Sequence, residues 1–124
     1  MSKKKILVVD DEEYFTKMVK LNLEALGKYE VKIENRGIRA VVVAKEFMPD
    51  MIFLDVVMPD LDGGQVAQRI KEVPSLKNVP IVFLTAIVEE KDVAARDGFI
   101  GGHPFLAKPV TTKQLVEYIE EYTS

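Results

Sequence analysis

Four short apolar runs in this chain each end on a residue able to do chemistry. Ile6-Leu7-Val8-Val9 leads into Asp10-Asp11, Met51-Ile52-Phe53-Leu54 into Asp55, Ile81-Val82-Phe83-Leu84 into Thr85, and Phe105-Leu106-Ala107 into Lys108. Singly, an Asp at such a junction is a turn former or helix cap. Gathered in one place the carboxylates mean something else. Two unit charges about 4 Å apart repel by on the order of 4 kcal/mol at an effective dielectric near 20, so a trio of carboxylates needs a compensating cation. Lys108 supplies one positive charge, and the remaining acidity suits a hard divalent ion. Mg²⁺ prefers one or two carboxylates together with waters and phosphate oxygens, which points to phosphoryl transfer. No G-x-x-x-x-G-K-[ST] cradle is present for a nucleotide, so an aspartate carboxylate is the expected nucleophile.

The elements that must deliver these residues follow from the same runs. Being rich in β-branched residues and without polar alternation, they predict strands buried on both faces of a parallel sheet. Their endings then share one edge, where ligands of open α/β sheets bind. Val31-Lys32-Ile33 predicts a short second strand, and Val79 to Leu84 the fourth. Between the strands, Phe15, Met18, Val19, Leu23 and Leu26 recur at helical spacing, closed by Gly27. Gly37 to Met48 predicts a helix despite Val41-Val42-Val43, because two parallel neighbours need a crossover. Val66, Ile70 and Val73 mark a helix stopped by Pro74. Glu89 to Phe99 predicts a polar helix, and Gly101-Gly102 a turn into the Phe105 strand. Thr111 with Gln114 has capping-box spacing, opening a last helix with Leu115, Val116, Ile119 and Tyr122 as its apolar stripe. The expected fold is α/β: a flavodoxin-like, doubly wound sheet of five parallel strands, order 2-1-3-4-5, with five helices.

Composition narrows the function classes. With 124 residues, 48% of them hydrophobic, one core-forming domain is expected and a second does not fit. A net charge of -3 with interspersed signs offers no basic footprint, so no direct nucleic-acid contact is expected. The absence of cysteine excludes disulfides and thiolate chemistry. No run approaches the roughly 18 apolar residues of a membrane span, so no membrane insertion and a cytoplasmic location are expected.

The residues Val9-Asp10-Asp11-Glu12, Asp55 followed by Val56-Val57-Met58-Pro59-Asp60-Leu61-Asp62-Gly63, Thr85-Ala86, and Phe105-Leu106-Ala107-Lys108-Pro109 resemble the response-regulator receiver domains of two-component signalling. The resemblance covers essentially the whole chain, as a single receiver domain over 1–124. It implies that Asp55 is the phosphoacceptor, taking a phosphoryl group from a histidine kinase, a phosphotransfer protein or a small phosphodonor. It further implies that Asp11, Asp55 and the backbone carbonyl of Val57 hold Mg²⁺, with Asp10 acting through a water on the metal. Lys108 would contact the phosphoryl group and Thr85 would donate its hydroxyl to it. Thr85 and Phe105 would form the switch, read by a downstream output protein or domain on the face of the fourth helix, fifth strand and last helix. Pro109 would be the cis proline that holds the Lys108 loop.

Three positions make this chain particular. Phe105 lacks the hydroxyl of a tyrosine, so apolar burial of roughly 1.5 to 3 kcal/mol should bias its ring inward. Val57 and Ile87, which in the family flank the phosphoryl group, can neither orient a water nor bond a phosphoryl oxygen, which predicts a long-lived phosphoryl state. His103 is expected on a loop or at the surface, and Met18, Met48, Met51 and Met58 in core and loop packing. Two other function classes remain open: a small Mg²⁺-dependent phosphohydrolase with an Asp nucleophile, against which Val57 stands, and an unphosphorylated scaffold of the same fold.

Overall fold

The computed structural model describes residues 2–86, 99–100 and 102–124. Its strands are β1 (Lys4–Val9), β2 (Tyr29–Glu34), β3 (Met51–Asp55), β4 (Ile81–Thr85), β5 (Phe99–Ile100) and β6 (His103–Ala107). The α-helices among the described residues are α1 (Glu13–Glu24), α2 (Ala40–Phe47), α3 (Gly63–Lys71) and the C-terminal α4 (Thr112–Thr123), with a 3₁₀ turn at Gly37–Arg39. The sheet runs β2-β1-β3-β4-β6-β5. All neighbours from β2 to β6 are parallel, so β6 is the fifth strand and the expected 2-1-3-4-5 order holds. β5 adds a two-residue antiparallel flange through Phe99–Pro104 and Ile100–His103 pairing.

Period-two alternation sends the strand residues to two separate cores. Leu7, Val9, Ile52, Leu54, Ile81 and Phe83 pack with α2 and α3. Ile6, Val8, Met51, Phe53, Val82 and Leu84 pack with α1 and α4. Every residue of β3 and β4 is buried, as continuous apolar runs require when helices cover both faces. The Val41–Val43 run is helical: the crossover between parallel strands outweighs local β preference, and Ala40, Val43 and Ala44 form its buried stripe. Thr111 and Gln114 form the predicted reciprocal capping box of α4.

Several expectations need correction. On α1 the buried stripe is Thr16, Val19 and Leu23, whereas Met18 and Leu26 are half exposed. A polar Thr16 takes a core place because its hydroxyl is bonded to the Glu13 carbonyl at 3.1 Å. The second strand extends over six residues, to Glu34. Helix α3 ends at Lys71, before Val73 and Pro74. Met48 is exposed in a left-handed cap closing α2, while Met51 and Met58 are core. His103 belongs to β6 and sets its ring edge-on to Phe83, 5.4 Å between centroids. The helix expected over Glu89–Phe99 falls outside the described residues except at Phe99, which is strand.

Candidate functional site

Strand ends bring the sequence-predicted residues to one rim. Asp10 is fully buried just past β1, Asp11 is exposed beside it, and Asp55 closes β3 with 4% of its surface exposed. One carboxylate oxygen from each lies within 4.8 Å of the others. Lys108 follows β6 and is carried to the same rim by strand pairing, since its N–H donates to the Thr85 carbonyl at 2.8 Å. Its Nζ lies 2.7 Å from Asp10 Oδ2, 2.6 Å from Glu12 Oε1, and over the Phe15 ring at 4.5 Å. Thr85 is buried at the end of β4, opposite Ala107. The Lys108–Pro109 peptide is cis, as the resemblance implies.

The charges are closely set. Burial pushes Asp55 up to about 7, with the Asp10 charge adding to the shift, Lys108 opposing it, and the Asp11 carboxyl within hydrogen-bonding reach. Burial also raises Asp10, against the Lys108 ion pair. Burial would lower Lys108, but its ion pairs with Asp10 and Glu12 outweigh it and hold the ammonium above its usual range. Asp10 Oδ1 accepts from the Glu12 N–H at 2.9 Å, while Oδ2 faces the Lys108 ammonium off the line of a directed hydrogen bond and has no other donor among the described residues. A fully buried carboxylate oxygen compensated by one cation alone, beside two more oxygen donors, is a donor set that fits a hard divalent ion such as Mg²⁺.

The backbone around Asp55 leaves no slack. A Cβ at Gly63 would lie 2.2 Å from the Asp55 carbonyl oxygen, and the Gly63 N–H bonds the Val56 carbonyl at 2.9 Å. Asp62 caps α3 by accepting from Gly64, and Asp60 accepts from the N–H groups of Gly37 and Ile38. Val57 donates its N–H to Asp55 Oδ1 at 3.3 Å, and the residue is 55% exposed. Phe105 is partly buried against the α2/α3 core, an inward lean short of full burial. Ile87 lies outside the described residues. Glu12 was legible in the motif, but nothing in its sequence context marks it as the second partner of Lys108. Asn35 and Thr16, which bond next to Asp10, carry no sequence signal beyond their polarity.

A model of the response regulator receiver domain matches residues 6–120. The chain belongs to that family. It is thus a receiver domain of a two-component response regulator, and such domains are signalling switches rather than classical enzymes. Among curated relatives, the phosphate regulon transcriptional regulatory protein PhoB of Rhizobium meliloti is 34% identical over 94% of this chain and 50% of its own length. The DNA-binding dual master transcriptional regulator RpaA of Synechocystis is 32% identical over 90% of this chain and 46% of its own. The chain therefore spans about half the length of these two relatives. The polar-differentiation response regulator DivK of Brucella anthropi is 28% identical, covering 96% of this chain and 95% of DivK. The crystal structure of Vibrio cholerae chemotaxis protein CheY4 superposes with a TM-score of 0.83 at 27% identity, covering 98% of this receiver domain and 99% of CheY4. Receiver domains bind Mg²⁺ in an acidic pocket, and the cluster Asp10, Asp11 and Asp55 is the matching pocket here. No helix among the described residues is long and apolar enough to cross a membrane.

Proposed function

We propose that this receiver domain, acting as one unit over 1–124, accepts a phosphoryl group on Asp55 and passes that state to a partner by protein contact. The observation that carries the reading is the packing of Asp55 against Asp10 and Asp11, carboxylate oxygens within 4.8 Å, with Lys108 at the same rim. An Asp55 carboxylate oxygen forms the bond to phosphorus as the bond to the donor's leaving group breaks, and the electron pair departs with that group. Asp10, Asp11, Asp55 and the Val57 carbonyl would hold Mg²⁺, which supplies positive charge against the carboxylates and the incoming phosphoryl oxygens. Lys108 is held at the rim by Asp10 and Glu12, so its ammonium is available to the phosphoryl group after a short movement. Thr85, at the end of the neighbouring strand, offers its hydroxyl, and Phe105 lies two positions along the pairing on β6. The donor is a histidine kinase, a phosphotransfer protein or a small phosphodonor, and the output partner reads the face around β6 and α4. A cytoplasmic setting fits this role.

The test is incubation with acetyl phosphate and Mg²⁺, followed by intact mass. One stable phosphoryl adduct, lost in Asp55→Asn, is the expected result. Continuous phosphate release without an adduct would mark a phosphohydrolase, and no adduct at all a scaffold; either overturns the proposal.

A further inference from the structure

The ladder between β1 and β2 continues one step past its last paired residues, using a side chain. The Asp10 N–H bonds the Glu34 carbonyl at 3.1 Å, the last backbone rung. The Asp10 carbonyl, pointing the same way, takes its hydrogen from Asn35 Nδ2 at 2.8 Å. The same Nδ2 lies 3.0 Å from the hydroxyl of Thr16, a residue with no exposed surface. A carbonyl can only accept, so the Asn35 atom facing it is the amide nitrogen, and one NH₂ has two hydrogens for the two acceptors. Thr16 in turn donates its own proton to the Glu13 carbonyl, which closes the set. Meanwhile the N-cap residue of α1, Glu12, makes no side-chain capping bond and reaches Lys108 instead. The Asn35 bridge is thus a side-chain tie between the carbonyl that precedes Asp11 and the first turn of α1.

We propose that Asn35 and Thr16 are positioning residues of the acidic rim, which fix the peptide between Asp10 and Asp11 and so the directions in which both carboxylates leave the chain. The inference rests on the reading of those carboxylates as a Mg²⁺ site. Groups that orient metal ligands typically contribute 10- to 100-fold to affinity, and a bond to the main chain belongs at the lower end. In the full chain, Asn35→Ala should weaken Mg²⁺ binding about tenfold, measured by calorimetric titration with MgCl₂, with metal-free melting lowered only slightly. Thr16→Val should weaken it by a similar factor, Thr16→Ser should restore it, and the loss in the Asn35→Ala/Thr16→Val pair should fall well short of the product of the two. Loss of melting temperature in Asn35→Ala with Mg²⁺ affinity within twofold of wild type would reduce the pair to packing and overturn the inference alone. A Thr16→Ser variant as weak as Thr16→Val would do the same. A wild-type chain that shows no Mg²⁺ saturation would overturn the metal reading with it.

Discussion

Asp10 and Asp55 differ from Asp50 and Asp60 in how the protein meets their charge. At the opposite end of the sheet, Asp50 joins β1 to β3 reciprocally: Oδ2 accepts from the Lys5 N–H at 2.7 Å, and its own N–H donates to the Lys5 carbonyl at 2.7 Å. Asp60 accepts from two backbone N–H groups and is held below its usual pKa, chiefly by the bond from Ile38. These carboxylates are exposed, bonded and structural. Asp10 and Asp55 are buried, crowded and pushed the other way. The same side chain serves as fastener where donors surround it, and stays electrostatically unfinished where burial and a like charge do. That unfinished state is what an incoming cation or phosphoryl group can exploit.

The largest expected effect concerns the peptide beneath Asp55. A methyl group at Gly63 meets backbone, which cannot rotate away, so Gly63→Ala should destabilise by about 3 kcal/mol and lower Mg²⁺ affinity along with it. At Gly64 the nearest atom to a new Cβ is Asp62 Oδ2 at 3.4 Å, ordinary contact, so Gly64→Ala should be neutral or mildly stabilising in thermal melts. Equal tolerance at both positions would mean the rim is not rigidly seated.

Next comes Asp55→Asn in EDTA at pH 8. Removing one of two close buried charges, against a loss of attraction to Lys108, should stabilise by about 1–2 kcal/mol, a rise of roughly 3–8 °C in Tm. Asp60→Ala under the same conditions should destabilise by about 1 kcal/mol, the cost of a lost cap, reduced by its exposure to solvent. Opposite signs are the point: if both variants melt lower, Asp55 is as satisfied as Asp60 and the contrast collapses.

How far the sequence reveals this contrast depends on the range of the forces involved. The central strands β3 and β4 are legible because burial on both faces keeps polar residues out of them until their last position, and the rim is legible because the polar residues reappear where the strands stop. Likewise Gly27 at φ +81° and the Thr111 box obey local backbone rules. Met18 and Leu26 mislead because an amphipathic stripe wider than the contact it makes leaves its margins in solvent. Thr16 and Asn35 are silent for a different reason. Asn35 donates to a carbonyl 25 positions away and to the Thr16 hydroxyl 19 positions away, and no spacing rule records such pairs. Asp50, Asp60 and Asp55 look alike in the sequence, since what separates them is the burial and the neighbouring Asp10 charge that the folded chain imposes on Asp55 alone.

Stability changes least per step of pH, and the sign of that change separates the two groups. In the unfolded chain an Asp releases its proton near pH 3.9. Asp55 keeps its proton to about 7 in the metal-free fold, so between about 4 and 7 the native state binds more protons than the unfolded one. Metal-free stability should therefore fall as pH rises through that window, and the advantage of Asp55→Asn seen at pH 8 should nearly vanish at pH 5, where wild type is already protonated. Asp60 runs the other way: its lowered pKa makes its contribution fully present above about 4 and lost as the pH falls through the depressed value. Chemical denaturation in EDTA across pH 3 to 8 would resolve both limbs. A wild-type curve that rises steadily from pH 4 to 7, with Asp55→Asn parallel to it, would place Asp55 among the fasteners.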